Sequence, residues 1–285
     1  MRDLEKMLGL GLAGNFANHL EQAGESNDFA CIVGDDGCAP KGIFPFFVPN
    51  ASGFLGRFCF DSNAVILPAD KSLNVQAEAE MGLVCEIIYD ENRFVQNIIP
   101  THFMAFNDAS VRNDKNATKL SQKKNFSLGS KGFSANQIAI PDNTFTQGGI
   151  CDDYSIVSFI KTNGVLEQYG ELSRLDSYSY FYEKLTRWIV KKLNNQDDFG
   201  VLESLPSILR EANYPTRALI AVGATRYTAQ NEHRFLQDGD IVSVIIFNHN
   251  KYSFENICNL VDIEDLSKCD SMNEISIVMQ KVSQM

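Results

Sequence analysis

Residues 74–87, NVQAEAEMGLVCEI, set two glutamates one residue apart in an otherwise apolar run. Read as a strand, Val75, Ala77, Ala79, Met81, Leu83, Cys85 and Ile87 share one wholly apolar face, because successive strand side chains point to opposite sides. Gln76, Glu78 and Glu80 fall on the other face, followed by Gly82. A helix would put the two glutamates about 200° apart around its axis and scatter the apolar positions. The alternation decides for a strand, with the carboxylates side by side and their Cα atoms roughly 6.5–7 Å apart. Neighbouring like charges must be solvated, paired or bridged by a cation. The strand by itself leaves two readings open, a solvated outward face and an oxygen-ligand site for a hard divalent ion such as Mg²⁺, Mn²⁺ or Ca²⁺.

The surrounding segments predict a third acid beside that pair. Asp90-Glu91-Asn92-Arg93 has the composition of a hairpin turn, and Asp108 follows Glu80 by 28 residues, just past the predicted return strand. A hairpin lays its second strand beside its first, so Asp108 would complete a three-carboxylate site suited to octahedral Mg²⁺ or Mn²⁺. Farther on, SIVSFIKTNGVLEQYGEL reads as a second hairpin, with Asn163-Gly164 matched to the positive φ values of a type I′ turn. Phe181, Leu185, Trp188, Ile189 and Leu193 recur at helical spacing and predict one amphipathic helix. Leu219–Val222 and Ile241–Phe247 read as further strands, and residues 107–150 as polar loops rather than core. The expected fold is therefore mostly β with few helices (α+β), without the alternation of strands and helices that marks a parallel α/β sheet.

Composition bounds the function. A net charge of −11 argues against a nucleic-acid binder, although Arg112, Lys115, Lys119, Lys123, Lys124 and Lys131 form a basic segment interrupted only by Asp114. That segment reads either as a solvated loop or as an anion-binding stretch for a small carboxylate or phosphate. No apolar run reaches the roughly 18–20 residues of a membrane span, and the glycine-punctuated, acid-bearing N-terminus makes a poor signal peptide. Cys31, Cys38, Cys59, Cys85, Cys151, Cys258 and Cys269 are odd in number and lack a C-x-x-C pair, which suggests reduced thiols in a cytoplasmic protein. Neither a G-x-S-x-G elbow, a phosphate-cradling glycine loop nor a zinc-ligand spacing occurs, and His102, His233 and His249 are dispersed.

Several motifs together resemble the fumarylacetoacetate hydrolase family. They are Glu78-Ala79-Glu80, NDASVRND from Asn107, and KKNFSLGS from Lys123. In the same order come GNFANH from Gly14, FPFFVPNASGFLG from Phe44, NGVLEQYGELS from Asn163, GATRY from Gly223 and FLQDGDIVSVII from Phe235, so the likeness covers roughly residues 9–250. The resemblance implies a mixed β-sandwich roll at residues 61–260, after an N-terminal segment 1–60 with a lid-like region and before a tail 261–285. It implies Glu78, Glu80 and Asp108 as ligands of Mg²⁺ or Mn²⁺, with Ca²⁺ a further candidate. It implies a small 2-oxo or β-keto acid substrate, a metal-held enolate, and hydrolysis, decarboxylation, hydration or isomerisation as the reaction. Lys124 matches the family lysine beside the substrate oxygens, with Lys123 as its alternative; Arg112 and Thr225 match substrate-binding positions. The same resemblance implies a homodimer, while net charge and hydropathy argue against nucleic-acid and membrane partners.

The chain departs from that pattern where the family activates water. His19 matches the histidine of a His-x-x-Glu pair, but the glutamate position is Gln22, flanked by Glu21 and Glu25. Glu21 is the candidate partner for the imidazole if the lid has shifted register. Phe16 stands for the family tyrosine, Val48 for the lysine before the pocket proline, and Thr225 sits in G-A-T rather than G-T-P. A non-catalytic or regulatory protein that keeps the ion and binds a small carboxylate is the alternative these departures leave.

Overall fold

The computed structural model describes residues 4–17, 19–24, 29, 32, 36–142, 144–262 and 274–284. In chain order the strands and helices are β1 (Leu8–Ala13), α1 (His19–Gln22), β2 (Gly42–Phe47), β3 (Ala64–Leu67), β4 (Val75–Gln76), β5 (Ala79–Tyr89) and β6 (Val95–Asp108). There follow β7 (Ser110–Val111), α2 (Leu120–Lys124), β8 (Lys131–Phe133), β9 (Ile138–Ala139), β10 (Tyr154–Thr162), β11 (Val165–Arg174) and α3 (Tyr182–Asn195). The chain closes with α4 (Leu205–Glu211), β12 (Arg217–Ala221), β13 (Ile241–Asn248), α5 (Phe254–Asp262) and β14 (Ile275–Gln284).

Two sheets carry the fold. The first runs β2-β1-β12-β5-β6-β8, with β9 also on β6, and the second runs β11-β10-β13-β14-β3. Most neighbours are antiparallel; β1 with β12 and β14 with β3 are the parallel pairs. The architecture is the expected mostly β class. Both predicted hairpins form: Asp90 N–H donates to the Phe94 carbonyl across the first turn, and Asn163 and Gly164 adopt φ of 50° and 82° in the second. The predicted helix is α3, which buries Leu185, Trp188, Ile189 and Leu193 and packs on β6 and α4.

The apolar face of β5 behaves as its alternation dictates. Ala79, Met81, Leu83, Cys85 and Ile87 join Ile156, Val244, Ile246 and Val278 of the second sheet in the main core between the two sheets. The predicted single strand over 74–88 is instead broken at Ala77-Glu78: β4 pairs with β7, and β5 begins at Ala79. The opposite face is not solvated either. Val84 packs with Phe44, Phe46, Phe47, Phe60, Met104 and Phe106 in a second cluster that covers the outer side of the first sheet. Under this cover Glu80 of β5 is 1% exposed, and Gln76 of β4 and Glu78 at the break are 1% and 3% exposed.

Three further segments differ from expectation. Residues 107–150 contain α2, β7, β8 and β9 and bury Lys124, Asn125, Ser130 and Lys131 rather than forming loops. The N-terminal segment 1–60, expected to carry a lid-like region, also supplies β1 and β2 to the first sheet. Within the segment read as a tail, β14 is a strand of the second sheet, between β13 and β3. Among the described residues, Cys59, Cys85 and Cys151 are buried and free, Cys38 is exposed and Cys258 half-buried; Cys31 and Cys269 lie outside the described residues. No helix among the described residues is long and apolar enough to cross a membrane.

Candidate metal centre

The break before β5 is what aims the acids. Asp108, the last residue of β6, donates its N–H to the Glu78 carbonyl at 3.0 Å, while Glu78 N–H donates to the Asn107 side-chain oxygen at 3.1 Å. Ala79, between the two glutamates, has its carbonyl held by the N–H and the hydroxyl of Thr225, at 3.0 and 3.1 Å. The backbone is thus pinned on both sides of each glutamate. Each of Glu78, Glu80 and Asp108 offers an oxygen, and these oxygens lie within 4.8 Å of one another. All three residues are buried, Asp108 completely.

Three cations face them. Lys124 Nζ reaches Glu78 Oε2 at 2.6 Å and Asp108 Oδ2 at 2.9 Å. Arg112 Nη2 lies 2.6 Å from Glu78 Oε1, and Lys131 Nζ lies 2.6 Å from Asp108 Oδ1. Burying charge is tolerated only with such pairing and with the remaining protons satisfied. Arg112 also donates to the Gln76 side-chain oxygen and the Tyr227 hydroxyl, both at 2.8 Å. Lys131 donates to the carbonyls of Ala109, Lys124 and Ser130 at 3.0, 2.6 and 3.0 Å.

Glu78 and Glu80 titrate in opposite directions for identifiable reasons. Burial pushes both up, but Lys124 and Arg112 outweigh it at Glu78 and hold that carboxyl at about 2. Burial, with the Asp108 charge next in weight, drives Glu80 well above the usual carboxylate range. Among the described residues, the donor to Glu80 Oε2 is a neutral one, Gly223 N–H at 2.7 Å. Gly223 has φ of 120°, and a Cβ there would stand 2.9 Å from Asn15 Cβ, so this donor position calls for glycine. Asn15 anchors the loop by donating to the Tyr180 and Val222 carbonyls.

The donor set fits a hard divalent ion: three carboxylates converge, all oxygen, with no sulfur or imidazole among them. Glu78, Glu80 and Asp108 are the residues that would hold it.

Helix α1 covers this cluster. His19 is 4% exposed, its ring tilts against Tyr227 with centroids 5.5 Å apart, and burial lowers its pKa to about 4. Its imidazole is therefore neutral at ordinary pH, and Nδ1 has no hydrogen-bond partner among the described residues. Glu21 does not supply one. Two residues along a helix point about 200° away, and Glu21 is exposed, lining a groove with Phe16, Cys38 and Lys41. Glu25 lies outside the described residues. Gln22, at the family's glutamate position, clamps Tyr227 instead: its Oε1 accepts from Tyr227 N–H at 3.0 Å and its Nε2 donates to the Tyr227 carbonyl at 3.3 Å and to Glu232 at 2.8 Å.

The other sequence candidates divide. Lys124 and Arg112 join the acids, whereas Lys123 is half-buried on the same short helix and Lys124 makes the contacts. Thr225 is buried at the centre, with its hydroxyl given to the Ala79 carbonyl. Val48 is buried in the core. The quoted motifs span Asn107 (NDASVRND) and Gly223 and Tyr227 (GATRY) without marking these residues, or Lys131 of the basic segment, for a role at the site. Lys131 belongs to the basic segment, where nothing in the residue pattern separates it from exposed Lys115 or half-buried Lys119 and Lys123. The backbone N–H of Gly223 has no sequence signature beyond the glycine itself.

Comparison with known proteins follows this geometry. No curated protein matches the chain. Among solved structures, the inhibitor-bound structure of Cg1458 is 12% identical, with 98% of this chain and 77% of that one covered at a TM-score of 0.54. The 5-carboxymethyl-2-hydroxymuconate delta-isomerase of Mycobacterium smegmatis is 15% identical, with coverage of 98% and 79% and a TM-score of 0.51. A 2-keto-3-deoxy-D-arabinonate dehydratase, complexed with magnesium and 2,5-dioxopentanoate, is 14% identical, with coverage of 99% and 74% and a TM-score of 0.50. At these identities the likeness is one of fold, and the fold is the mixed β roll that the fumarylacetoacetate hydrolase resemblance implied. A family model matches residues 25–282, and the chain belongs to that family, DUF5718, a family of unknown function.

Proposed function

We propose that this chain is a divalent-metal-dependent enzyme acting on a small 2-oxo or β-keto acid. The observation that carries the reading is the convergence of three buried carboxylates beside a buried lysine and a neutral, buried imidazole. Glu78, Glu80 and Asp108 would hold Mg²⁺ or Mn²⁺, which supplies a Lewis acid that draws electron density from a substrate oxygen. Lys124 and Arg112 add positive charge on the same side and would orient a carboxylate group. Thr225 keeps Ala79, and with it both glutamates, in place. Among the described residues, His19 is a neutral base beside the cluster and would accept or return a proton at Nδ1. Burial of these groups excludes water and strengthens every charge interaction among them.

Gln22 narrows the choice of reaction. Its amide is engaged with the Tyr227 backbone and carries no base, so His19 lacks the carboxylate that would raise its basicity toward water. Decarboxylation and isomerisation need one proton moved at carbon, and we place them ahead of hydrolysis. The same substitution favours a second reading, a binding or regulatory protein that keeps the ion and a small carboxylate.

The test is an ultraviolet assay of oxaloacetate and acylpyruvates with Mg²⁺ or Mn²⁺, comparing wild type with Glu78→Gln/Glu80→Gln. Turnover lost by at least about 100-fold in the double variant is expected. An unchanged rate in that variant would sink the site assignment. No turnover of any substrate despite a bound ion would transfer the case to the binding reading.

A further inference from the structure

The three cations of the centre are held in different ways. Among the described residues, Arg112 and Lys131 each contact a single carboxylate and are also held by neutral groups, the Tyr227 hydroxyl and Gln76 amide for one and three backbone carbonyls for the other. Lys124 stands between two of the carboxylates, 2.6 Å from one and 2.9 Å from the other, and so bridges two of the acids that would share a metal ion. Glu78 Oε1 and Asp108 Oδ1 each lie 2.6 Å from another cation, Arg112 Nη2 and Lys131 Nζ. A cation that enters the cluster therefore competes with a charged side chain at any oxygen of Glu78 or Asp108, and Lys124 is the side chain that contacts both residues.

We propose that Lys124 is an exchangeable counter-ion that couples metal binding to anion binding. The proposal rests on the reading of the acids as a metal centre. With Lys124 in place, Glu78 and Asp108 are each met by two cationic side chains, and a bare divalent ion gains little because it must displace an ammonium from two short contacts. Once displaced, the ammonium is a buried charge without its carboxylates, and burial of an unpaired charge is very unfavourable. A small chelating dianion, such as the 2-oxo acid class or oxalate, supplies the missing negative charge. The ion and the dianion then bind together better than either binds alone. Linkage makes the effect reciprocal: the factor by which the anion tightens the ion equals the factor by which the ion tightens the anion.

Mn²⁺ binding followed by electron paramagnetic resonance, at fixed free Mn²⁺ with and without oxalate, tests this on wild type, Lys124→Met, Lys124→Arg and Glu78→Gln/Glu80→Gln. The expected result is weak Mn²⁺ binding by wild type alone, tightened tenfold or more by oxalate. Lys124→Met should bind Mn²⁺ alone at least tenfold tighter than wild type, with its oxalate coupling cut at least tenfold, and Lys124→Arg should behave like wild type. Lysine labelling read by mass spectrometry on wild type gives a second measurement that needs no variant to fold. Mn²⁺ alone should increase modification of Lys124, and added oxalate should suppress it. Equal coupling in wild type and Lys124→Met, or Lys124 labelling indifferent to Mn²⁺, overturns the proposal while leaving the metal centre standing. If Mn²⁺ binds wild type and the double glutamine variant alike, the metal centre itself falls and the proposal with it.

Discussion

The two ends of the β5–β6 hairpin share one strand pairing and one alternating pattern, yet they tolerate charge in opposite ways. At the turn end, Glu86, Glu91, Asn92 and Arg93 are exposed, and Ile88, Phe94 and Ile99 are 41%, 57% and 40% exposed. At the open end, Glu80 and Asp108 are 1% and 0% exposed and Phe106 and Asn107 are completely buried. The difference comes from what lies on the outer face of the sheet. The aromatic cluster of Phe44, Phe46, Phe47, Phe60 and Phe106, together with α1 and α2, covers only the open end. There a charge survives by pairing, and every acid needs a cation or a pinned backbone donor. At the turn end water does the same work, and the side chains are free to vary.

Four changes break or sharpen that contrast. Lys131→Met, which leaves Asp108 with one oxygen buried and unpaired, should cost about 3–5 kcal/mol in urea unfolding; a loss below about 1 kcal/mol would show that the open end is wetter than its burial indicates. Glu203 is next. It is largely buried against α2, accepts a hydrogen bond from Ser121, and is pushed up by burial to about 7. The folded protein therefore holds a proton that the unfolded chain releases near 4.5, so stability falls as pH rises between about 4.5 and 7 and stays lower above that window. Wild type should lose up to about 3 kcal/mol across it relative to Glu203→Gln, and parallel Tm-against-pH curves for the two proteins would refute the assignment. Tyr227→Phe removes the hydroxyl that accepts from Arg112 and donates to the Ala77 carbonyl at 2.9 Å. It should cost about 1–3 kcal/mol and weaken Mn²⁺ binding by loosening Glu78. Wild-type Mn²⁺ affinity in that variant would show that Glu78 is held without Arg112. At the turn end, Phe94→Ser should stay within about 0.5 kcal/mol of wild type, and a larger loss would reveal a partner surface on the hairpin tip.

Residues near one another in the chain carried their own evidence. Alternation in 79–87 predicted β5 and its core face, Asn163-Gly164 predicted a turn, and the spacing of Leu185, Trp188, Ile189 and Leu193 predicted α3. The convergence of Glu78, Glu80 and Asp108 was legible because a hairpin is a local object, whose register follows from its turn. Period-two alternation names two faces but not which of them is wet, so Glu78 and Glu80 read as outward until the second cluster closed over them. The rest came from contacts far apart in sequence. Gly223 reaches Glu80 across 143 positions, Gln22 reaches Tyr227 across 205, and β14 returns to pair with β3 after most of the chain has passed. Such contacts leave no periodicity in either partner. The sequence by itself determined β5, β6 and β10–β13, the two hairpins and the three acids. The tertiary structure alone decided that those acids are buried, which cations face them, and that Gln22 secures Tyr227 instead of serving His19.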